Sequence, residues 1–472
     1  MIKWVIIFGI IYLGILVALA LISRSKVKSV DDFMMGGFNI GYFLGFMTFA
    51  ATLFSTFTLL GMPDFFRNHG VGAWIFLAVS DGVMIFMVLW FGYHLRKKAK
   101  EKKFRGMAGL LTDCYGNKWA GYIYFIGIFL FLVPYVSIQI RGISIFLDAS
   151  FNHALPPWGW ATLILFIMIL YSETGGLKAI MYSDVFQGIL LMTVVWIIAY
   201  TCVDNLNGVE QMFAEVKSIN PELLSIPGPK GLFSVQFLLV SMIAIVMIPV
   251  TQPQISSRIV IMKNQFSMNR MAVAVGCFAL LVILPTVAIG MYGAVKYPDH
   301  STPDFLSQVL LFDQPGIIAA ATMIGLIAAA ISTSDSQIFA MSGELRSLLK
   351  GDEKKVLKTT KIGMVVFAVA ALIFSLISSN QLALLARLSF TGTGLMAPMI
   401  ILAILSKKKI GMTMVWVSAA AILVFIGSLL GALPSDVMGL RMDLLLFISL
   451  GLITVLTVVF GGGEKQSEVK EA

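Results

Sequence analysis

The sequence predicts an all-α polytopic membrane protein of about thirteen transmembrane helices. Three observations carry this: the composition, the length of the apolar runs, and an alternation of cations between them. Of 472 residues, 58% are hydrophobic and only 12% charged, about half the charged share of ordinary soluble domains. Apolar runs of about 20 residues, the length that crosses a bilayer, recur along the whole chain. The polar breaks between them are alternately rich and poor in Lys and Arg.

In order, the runs centre near residues 13, 50, 82, 134, 167, 191, 242, 284, 328, 370, 393, 422 and 450. Arg24, Lys26 and Lys28 follow the first, and Arg96, Lys97, Lys98, Lys100, Lys102, Lys103 and Arg105 the third. Arg258, Lys263 and Arg270 follow the seventh, Arg346, Lys350, Lys354, Lys355 and Lys358 the ninth, and Lys407, Lys408 and Lys409 the eleventh. Breaks on the other side hold Arg67 alone, or no cation in Ser379–Gln381 and Leu433–Asp436. Cations near span ends stay on the cytoplasmic side, so the N-terminus is expected outside and the tail Gly461–Ala472 in the cytoplasm of a plasma (inner) membrane. Met1–Ile22 has only Lys3 as a cationic start and reads as a retained span, not a cleaved signal peptide.

These loops account for the net charge of +9 as a surface for anionic lipid headgroups, which removes the case for nucleic acid as a partner. Cys114, Cys202 and Cys277 are too scattered for a disulfide framework. His69, His94, His153 and His300 have no metal-ligand spacing, so no transition metal is expected. Nucleophile-elbow, phosphate-loop and dinucleotide fingerprints are missing. An enzyme is therefore not expected, and a sensor would need a cytoplasmic output domain that the short tail does not supply.

Two spans carry signs of being broken within the membrane. In span two, Thr52, Ser55 and Thr56 share a helical face with Thr58 nearby, ahead of Gly61-Met62-Pro63. In span seven, Pro249 and Pro253 flank Thr251 and Gln252, and each proline removes an intrahelical hydrogen bond. Unwound backbone at membrane depth is tolerated where it lines a cavity or is buried in protein. Spans two and seven lie five apart, so spans two to six and seven to eleven form two five-helix units of opposite orientation, the arrangement of inverted-repeat transporters. This divides the single domain into an extra helix at 1–23, repeats at 38–203 and 233–405, two further helices at 411–460 and the tail at 461–472. Ordinary proline kinks are the competing reading.

Span nine closes with Ser332, Thr333, Ser334, Asp335 and Ser336. Such groups cost free energy in hydrocarbon unless something binds them, so the cluster is a candidate binding site. Satisfaction of Ser332 and Thr333 by the carbonyl four residues back is the bland alternative.

Two motifs carry a family resemblance. Glu173-Thr174-Gly175-Gly176 followed by Asp184 and Gln187 resembles the first signature of the sodium/solute symporter family, which includes sodium-coupled proline, pantothenate, sialic acid and sugar carriers. Ala328-Ala329-Ala330-Ile331-Ser332-Thr333-Ser334-Asp335-Ser336 resembles the second. The resemblance covers nearly the whole chain and implies a leucine-transporter-like five-plus-five inverted repeat with two broken helices. It also implies Na+ as the coupling ion and alternating access as the mechanism.

Carried over residue by residue, the family's sodium site falls on the hydroxyls of Ser332 and Thr333 and the carbonyls of Ala329, Ala51 and Phe54. Five neutral oxygens suit a hard monovalent cation. Some members hold a second sodium beside a residue matching Asp184, which could instead make a structural hydrogen bond or salt bridge, or carry a coupling proton. The role of Asp335 stays open between a cytoplasmic gate and a helix-end residue.

Substrate-facing candidates are Thr52, Ser55 and Thr58 from span two, Gln139 and Arg141 from span four, and Gln252 from span seven. An arginine deep in an apolar helix forks well onto a carboxylate; an internal salt bridge to Asp148 or Asp81, or snorkelling outward, is the alternative. Relative to the proline-carrier pattern, Thr251 replaces a Gly and Gln254 a His, while Gln252, Pro253 and Arg258 match, and Leu53 stands where those carriers have an acid. Proline specificity therefore does not transfer. The expected solute is a small carboxylate or amino acid, ahead of a pantothenate- or sialate-like acid and then a neutral sugar. The chain is expected to act as a monomer or weak homo-oligomer in the lipid bilayer.

Overall fold

A computed structural model describes residues 1–24, 39–151, 154–407 and 410–460. The predicted cations Lys26, Lys28, Lys408 and Lys409 and the tail 461–472 lie outside the described residues. Helices α1 (Ile2–Arg24), α2 (Tyr42–Leu53), α3 (Met62–His69), α4 (Ser80–Lys102), α5 (Met107–Tyr115) and α6 (Lys118–Ser150) form the first part of the chain. Next come α7 (Pro157–Asp204), α8 (Val209–Ile219), α9 (Val235–Val246), α10 (Ile248–Thr251), α11 (Pro253–Val260), α12 (Gln265–Lys296) and α13 (Thr302–Ser307). Helices α14 (Gly316–Leu348), α15 (Glu353–Ile377), α16 (Leu382–Gly394), α17 (Ala397–Leu405), α18 (Thr413–Leu429) and α19 (Met442–Phe460) follow. A two-residue antiparallel pairing, Asp436–Val437 with Leu440–Arg441, leads into α19.

Every predicted centre falls on an apolar helix. By length and composition, eight helices among the described residues reach across a membrane, and ten do if each bent pair is one span. The centres near 167, 242 and 422 fall on shorter apolar stretches, Trp158–Ile169, Val235–Val246 and Thr413–Leu429, so the count of thirteen stays an expectation. Large apolar side chains such as Ile10, Leu21, Trp158, Tyr200, Leu423 and Val459 stand exposed on the outer helices. That inversion of the usual burial suits a multi-pass protein whose solvent is lipid.

Helix starts follow local chemistry. The side chains of Asn117, Ser234, Asn264 and Asp352 accept from amides of the first turns of α6, α9, α12 and α15, satisfying donors that have no intrahelical partner. The expected glycine turn appears inside α7 at Gly176, whose φ of 63° and ψ of −173° are open to glycine at little cost.

Span two is broken, with α2 and the Phe57–His69 segment inclined by 52°. Span seven is broken at Gln252, φ −93° and ψ 119°, the extended geometry that a following proline imposes. A further break was not expected: α16 and α17 meet at 41°, where Gly392 and Gly394 weaken the helix and Pro398 cannot donate to the Gly394 carbonyl. Helices α2, α11 and α14 pack against one another, and α7 packs on both α2 and α14. The break of α2 is therefore buried among them.

Candidate functional site

The site begins with a backbone that stops being a helix. Phe54 turns extended at φ −92° and ψ 116°, and the amides after it are engaged elsewhere. Ser55 N–H donates to Thr58 Oγ1 and Thr56 N–H to Gln139 Oε1, each at 3.2 Å. Phe57 N–H donates to Ser55 Oγ at 3.2 Å and Thr58 N–H to the Ser55 carbonyl at 2.8 Å. In an unbroken helix these amides would serve the carbonyls of Ala51, Thr52, Leu53 and Phe54, which are thereby released.

Side chains from distant helices take up what is released. Tyr135 OH donates to the Leu53 carbonyl at 3.2 Å. Ser332 Oγ and Thr333 Oγ1 both reach the Ala51 carbonyl, at 3.1 and 3.3 Å. At the second break, Tyr124 OH donates to the Thr251 carbonyl at 3.0 Å. Helix α6 thus supplies one tyrosine to the break of span two and one to that of span seven. It approaches the first break closely because residue 142 is glycine: a Cβ there would lie 2.7 Å from Thr56 Cγ2.

Asp184, buried on α7, ties the surrounding helices together. It accepts from Thr48 Oγ1 on α2 at 2.5 Å and from Ser332 Oγ on α14 at 2.6 Å. Arg258 on α11 stands 3.8 Å away. Arg258 also donates to the Gln254 carbonyl at 3.1 Å and to Ser336 Oγ at 2.7 Å, and Thr52 Oγ1 donates to Ser336 Oγ at 3.2 Å.

The structure therefore brings Ala51, Thr52, Asp184, Ser332 and Thr333 into one buried cluster. Phe54 sits at the turn of the break, and Ala329 is buried one turn ahead of Thr333 on α14. Ser55, Thr58 and Gln139 brace the unwound backbone, with Gln139 Nε2 donating to Ser55 Oγ at 3.2 Å. Gln252 lies at the other break, its Oε1 accepting from Gln254 at 2.6 Å. The donor set is oxygen throughout, which suits sodium. No group of His, Cys, Asp and Glu able to hold a metal ion occurs among the described residues.

Arg141 lies apart from this cluster. Its Nε and Nη2 donate to Asn380 Oδ1 at 3.1 and 2.9 Å, and Nη1 to the Ser375 carbonyl at 3.3 Å. It lines a cavity of about 380 Å³ with Asp148, Asp304 and Asn380, away from the break. Residues two apart on a helix point about 200° from each other, so Gln139 and Arg141 do not share one pocket.

Losing Gln139 should expose the cost of the break. Gln139→Leu strands the buried Thr56 amide, a penalty of about 1–3 kcal/mol. The melting temperature of the purified protein should fall by several degrees; an unchanged value would contradict this bracing role.

The family model described as Sodium:solute symporter family matches residues 33–413. The chain belongs to this family. As a member it is a transporter rather than an enzyme, and sodium is its coupling ion. The symporter is 23% identical to a sodium/pantothenate symporter of Haemophilus influenzae over 68% of this chain and 66% of that one. It is also 23% identical to sodium/proline symporter 2 of Staphylococcus saprophyticus, over 74% and 70%. Among solved structures, a sodium-coupled sialic acid symporter in a substrate-bound outward-open state has a TM-score of 0.79 at 17% identity, covering 98% of each chain. A nucleobase-cation-symport-1 family transporter in a closed conformation has a TM-score of 0.55 at 15% identity, covering 91% of this chain and 96% of that one. At such identities the two structures show the shared fold.

Several residues of the symporter's site escaped the sequence reading. Thr48, Tyr124 and Tyr135 carry hydroxyls like dozens of others, and only the fold shows that they meet Asp184 or a released carbonyl. Ser389 Oγ and Thr391 Oγ1 on α16, Thr56 Oγ1 and Gln252 Nε2 are buried without a hydrogen-bond partner. For Ser389 and Thr391 the neighbouring Gly392 and Gly394 were the one local signal, weak inside an apolar run.

Proposed function

We propose that this protein is a sodium-driven importer of a small organic carboxylate or amino acid, working by alternating access across the plasma membrane. The observation that carries the proposal is the meeting of the Ser332 and Thr333 hydroxyls with the Ala51 carbonyl at the break of α2. Sodium held by these oxygens, with the carbonyls of Phe54 and Ala329, links α2 to α14 while the outer side is open. Solute binds beside the ion, where Thr56 Oγ1 at the break of span two and Gln252 Nε2 at the break of span seven offer donors that nothing else satisfies. The two helices part as the inner side opens, which dismantles the ion's shell and releases it.

The broken spans at equivalent positions of two five-helix units support an inverted repeat, and the basic loops support an N-terminus outside and a C-terminus in the cytoplasm. Magnitudes support one sodium as sufficient drive. A charge crossing about 100 mV gains roughly 2.3 kcal/mol and a tenfold sodium gradient adds about 1.4 kcal/mol, enough for a solute gradient of several hundred-fold. The test is uptake into proteoliposomes of small acids, amino acids and sugars under an imposed inward sodium gradient at fixed pH. Accumulation of an acid or amino acid is expected; accumulation under a proton gradient alone would overturn sodium coupling, and accumulation of sugars alone the substrate class.

Arg141 then acts at the approach to the site. Its cavity holds Asp148 and Asp304 as well, a mixture of signs that suits an amino acid or other acid carrying polar groups. Arg141→Ala should raise the KM for acidic solutes about tenfold with kcat little changed, since approach and not the bound state is affected. An equal loss in both parameters, or loss of folded protein, would make the residue a structural tie to Asn380.

A further inference from the structure

We propose that residues 103–106 form a strap across the inner side of the symporter, and that Glu344 is the latch that keeps the strap short and the inner side closed while the outer side is open. The inference rests on the alternating-access reading above and names the contacts that break when the inner side opens.

Glu344 lies twelve residues beyond Ser332 on α14, roughly 18 Å along the helix axis, on the side of the basic breaks. It is buried. Its Oε1 accepts from the Met107 amide at 2.9 Å and its Oε2 from the Ala108 amide at 2.6 Å, in the first turn of α5, where Gly106 brings no capping side chain. Ser347 Oγ accepts from the Gly109 amide at 2.9 Å. Three donors that a helix start leaves open are thus met from α14. The close approach depends on glycine. A Cβ at Gly106 would lie 2.9 Å from Ser347 Cβ and 3.0 Å from Glu344 Oε2, and one at Gly109 would lie 3.0 Å from the Ser347 carbonyl oxygen.

The strap joins two groups of helices. Helix α4, which ends at Lys102, packs on α9, α11 and α12, whereas α5, which begins at Met107, packs on α6 and α14. While the first turn of α5 is pinned, only four residues span the two groups, so α4 and α11 stay close to α14. Freeing residues 107–109 from Glu344 and Ser347 lends the strap roughly 10 Å of extra reach, enough for the groups to part. Phe104, within the strap, is buried and shares with Glu344, Ser257, Arg258 and Phe339 the lining of an inner cavity of only about 30 Å³. The outer cavity at Arg141 holds about 380 Å³, so the latch is fastened in a protein that is wide outside and narrow inside. Glu344 is thus a positioning residue for the inner gate.

The experiment is labelling of the full-length protein in inside-out membrane vesicles with a membrane-impermeant maleimide, in sodium and in choline, without solute. The reporter is Ser257→Cys, in a chain whose Cys114, Cys202 and Cys277 are replaced by alanine. In sodium, adding Glu344→Gln should speed labelling roughly tenfold or more, the size expected when a buried amide loses its acceptor, and the milder Ser347→Ala should speed it several-fold. Ser307→Cys, which lines the outer cavity, should label no faster from the outside of right-side-out vesicles in either variant. Unchanged labelling of Ser257→Cys in the folded variants would overturn the proposal, and so would faster labelling of both reporters, which marks loosened packing. If Glu344→Gln fails to fold, Ser347→Ala decides alone. Equal labelling of Ser257→Cys in sodium and choline, with the latch intact, would instead overturn the alternating-access reading and the latch with it, a result distinct from the other two.

Discussion

Ser332→Ala is expected to raise the sodium concentration for half-maximal uptake by at least tenfold, with Thr333→Ala close behind. Each variant removes one neutral ligand from a site that has few and leaves the helix intact, because serine and threonine add little to an α-helix that alanine does not. Loss of one hydrogen-bonding or coordinating group of this kind costs about 1–2 kcal/mol, which is roughly a tenfold change in affinity. Ser332→Ala should be the worse of the two, since Ser332 Oγ contacts both the Ala51 carbonyl and Asp184, whereas Thr333 Oγ1 reaches the Ala51 carbonyl alone among these. Sodium titration of uptake at saturating solute checks this. Unchanged midpoints in both variants would remove these hydroxyls from the coupling site.

Asp184→Asn should have a larger effect still. The carboxylate accepts from Thr48 and Ser332 and faces Arg258; the amide has the same shape but no charge and only one accepting oxygen. A buried guanidinium that loses its counter-charge costs about 3–5 kcal/mol, a large part of the stability of any domain. Loss of uptake and a sharply lower yield of folded protein are expected. Pairing Asp184→Asn with Arg258→Met removes both charges, so the yield should recover while sodium-driven uptake does not. If the double variant were as unstable as the sum of the two single ones, Asp184 and Arg258 would not be coupled.

The separation of these two effects mirrors what could be read from the chain. Local chemistry was legible: prolines 249 and 253 announced the break of span seven, and the hydroxyl-rich face of Thr52, Ser55 and Thr56 announced that of span two. The α16–α17 break stayed hidden because Gly392, Gly394 and Pro398 lie inside an apolar run whose overall hydropathy is that of an ordinary span. The cluster Ser332–Ser336 was legible because hydroxyls and a carboxylate in hydrocarbon demand partners.

The partners themselves were not legible. Thr48 meets Asp184 across 136 residues and Arg258 meets Ser336 across 78, and no periodicity encodes which of many hydroxyls closes on a given carboxylate. Arg141 shows the converse: its chemistry suggested a solute carboxylate, but the rotation of α6 aims it at Asn380. Tyr124 and Tyr135 gain a role only where the fold brings them to the released carbonyls of Thr251 and Leu53.

The central claim is that oxygens of α2 and α14 jointly hold the ion. It is tested most directly by titrating the melting temperature of purified protein with sodium chloride, against choline chloride at equal ionic strength, for the native chain and for Ser332→Ala. A ligand that binds only the folded state stabilises it by mass action, so sodium should raise the native Tm in a saturable way. In Ser332→Ala the same rise should require at least ten times more sodium. An equal response in both proteins, or no response to sodium in the native one, would contradict the account.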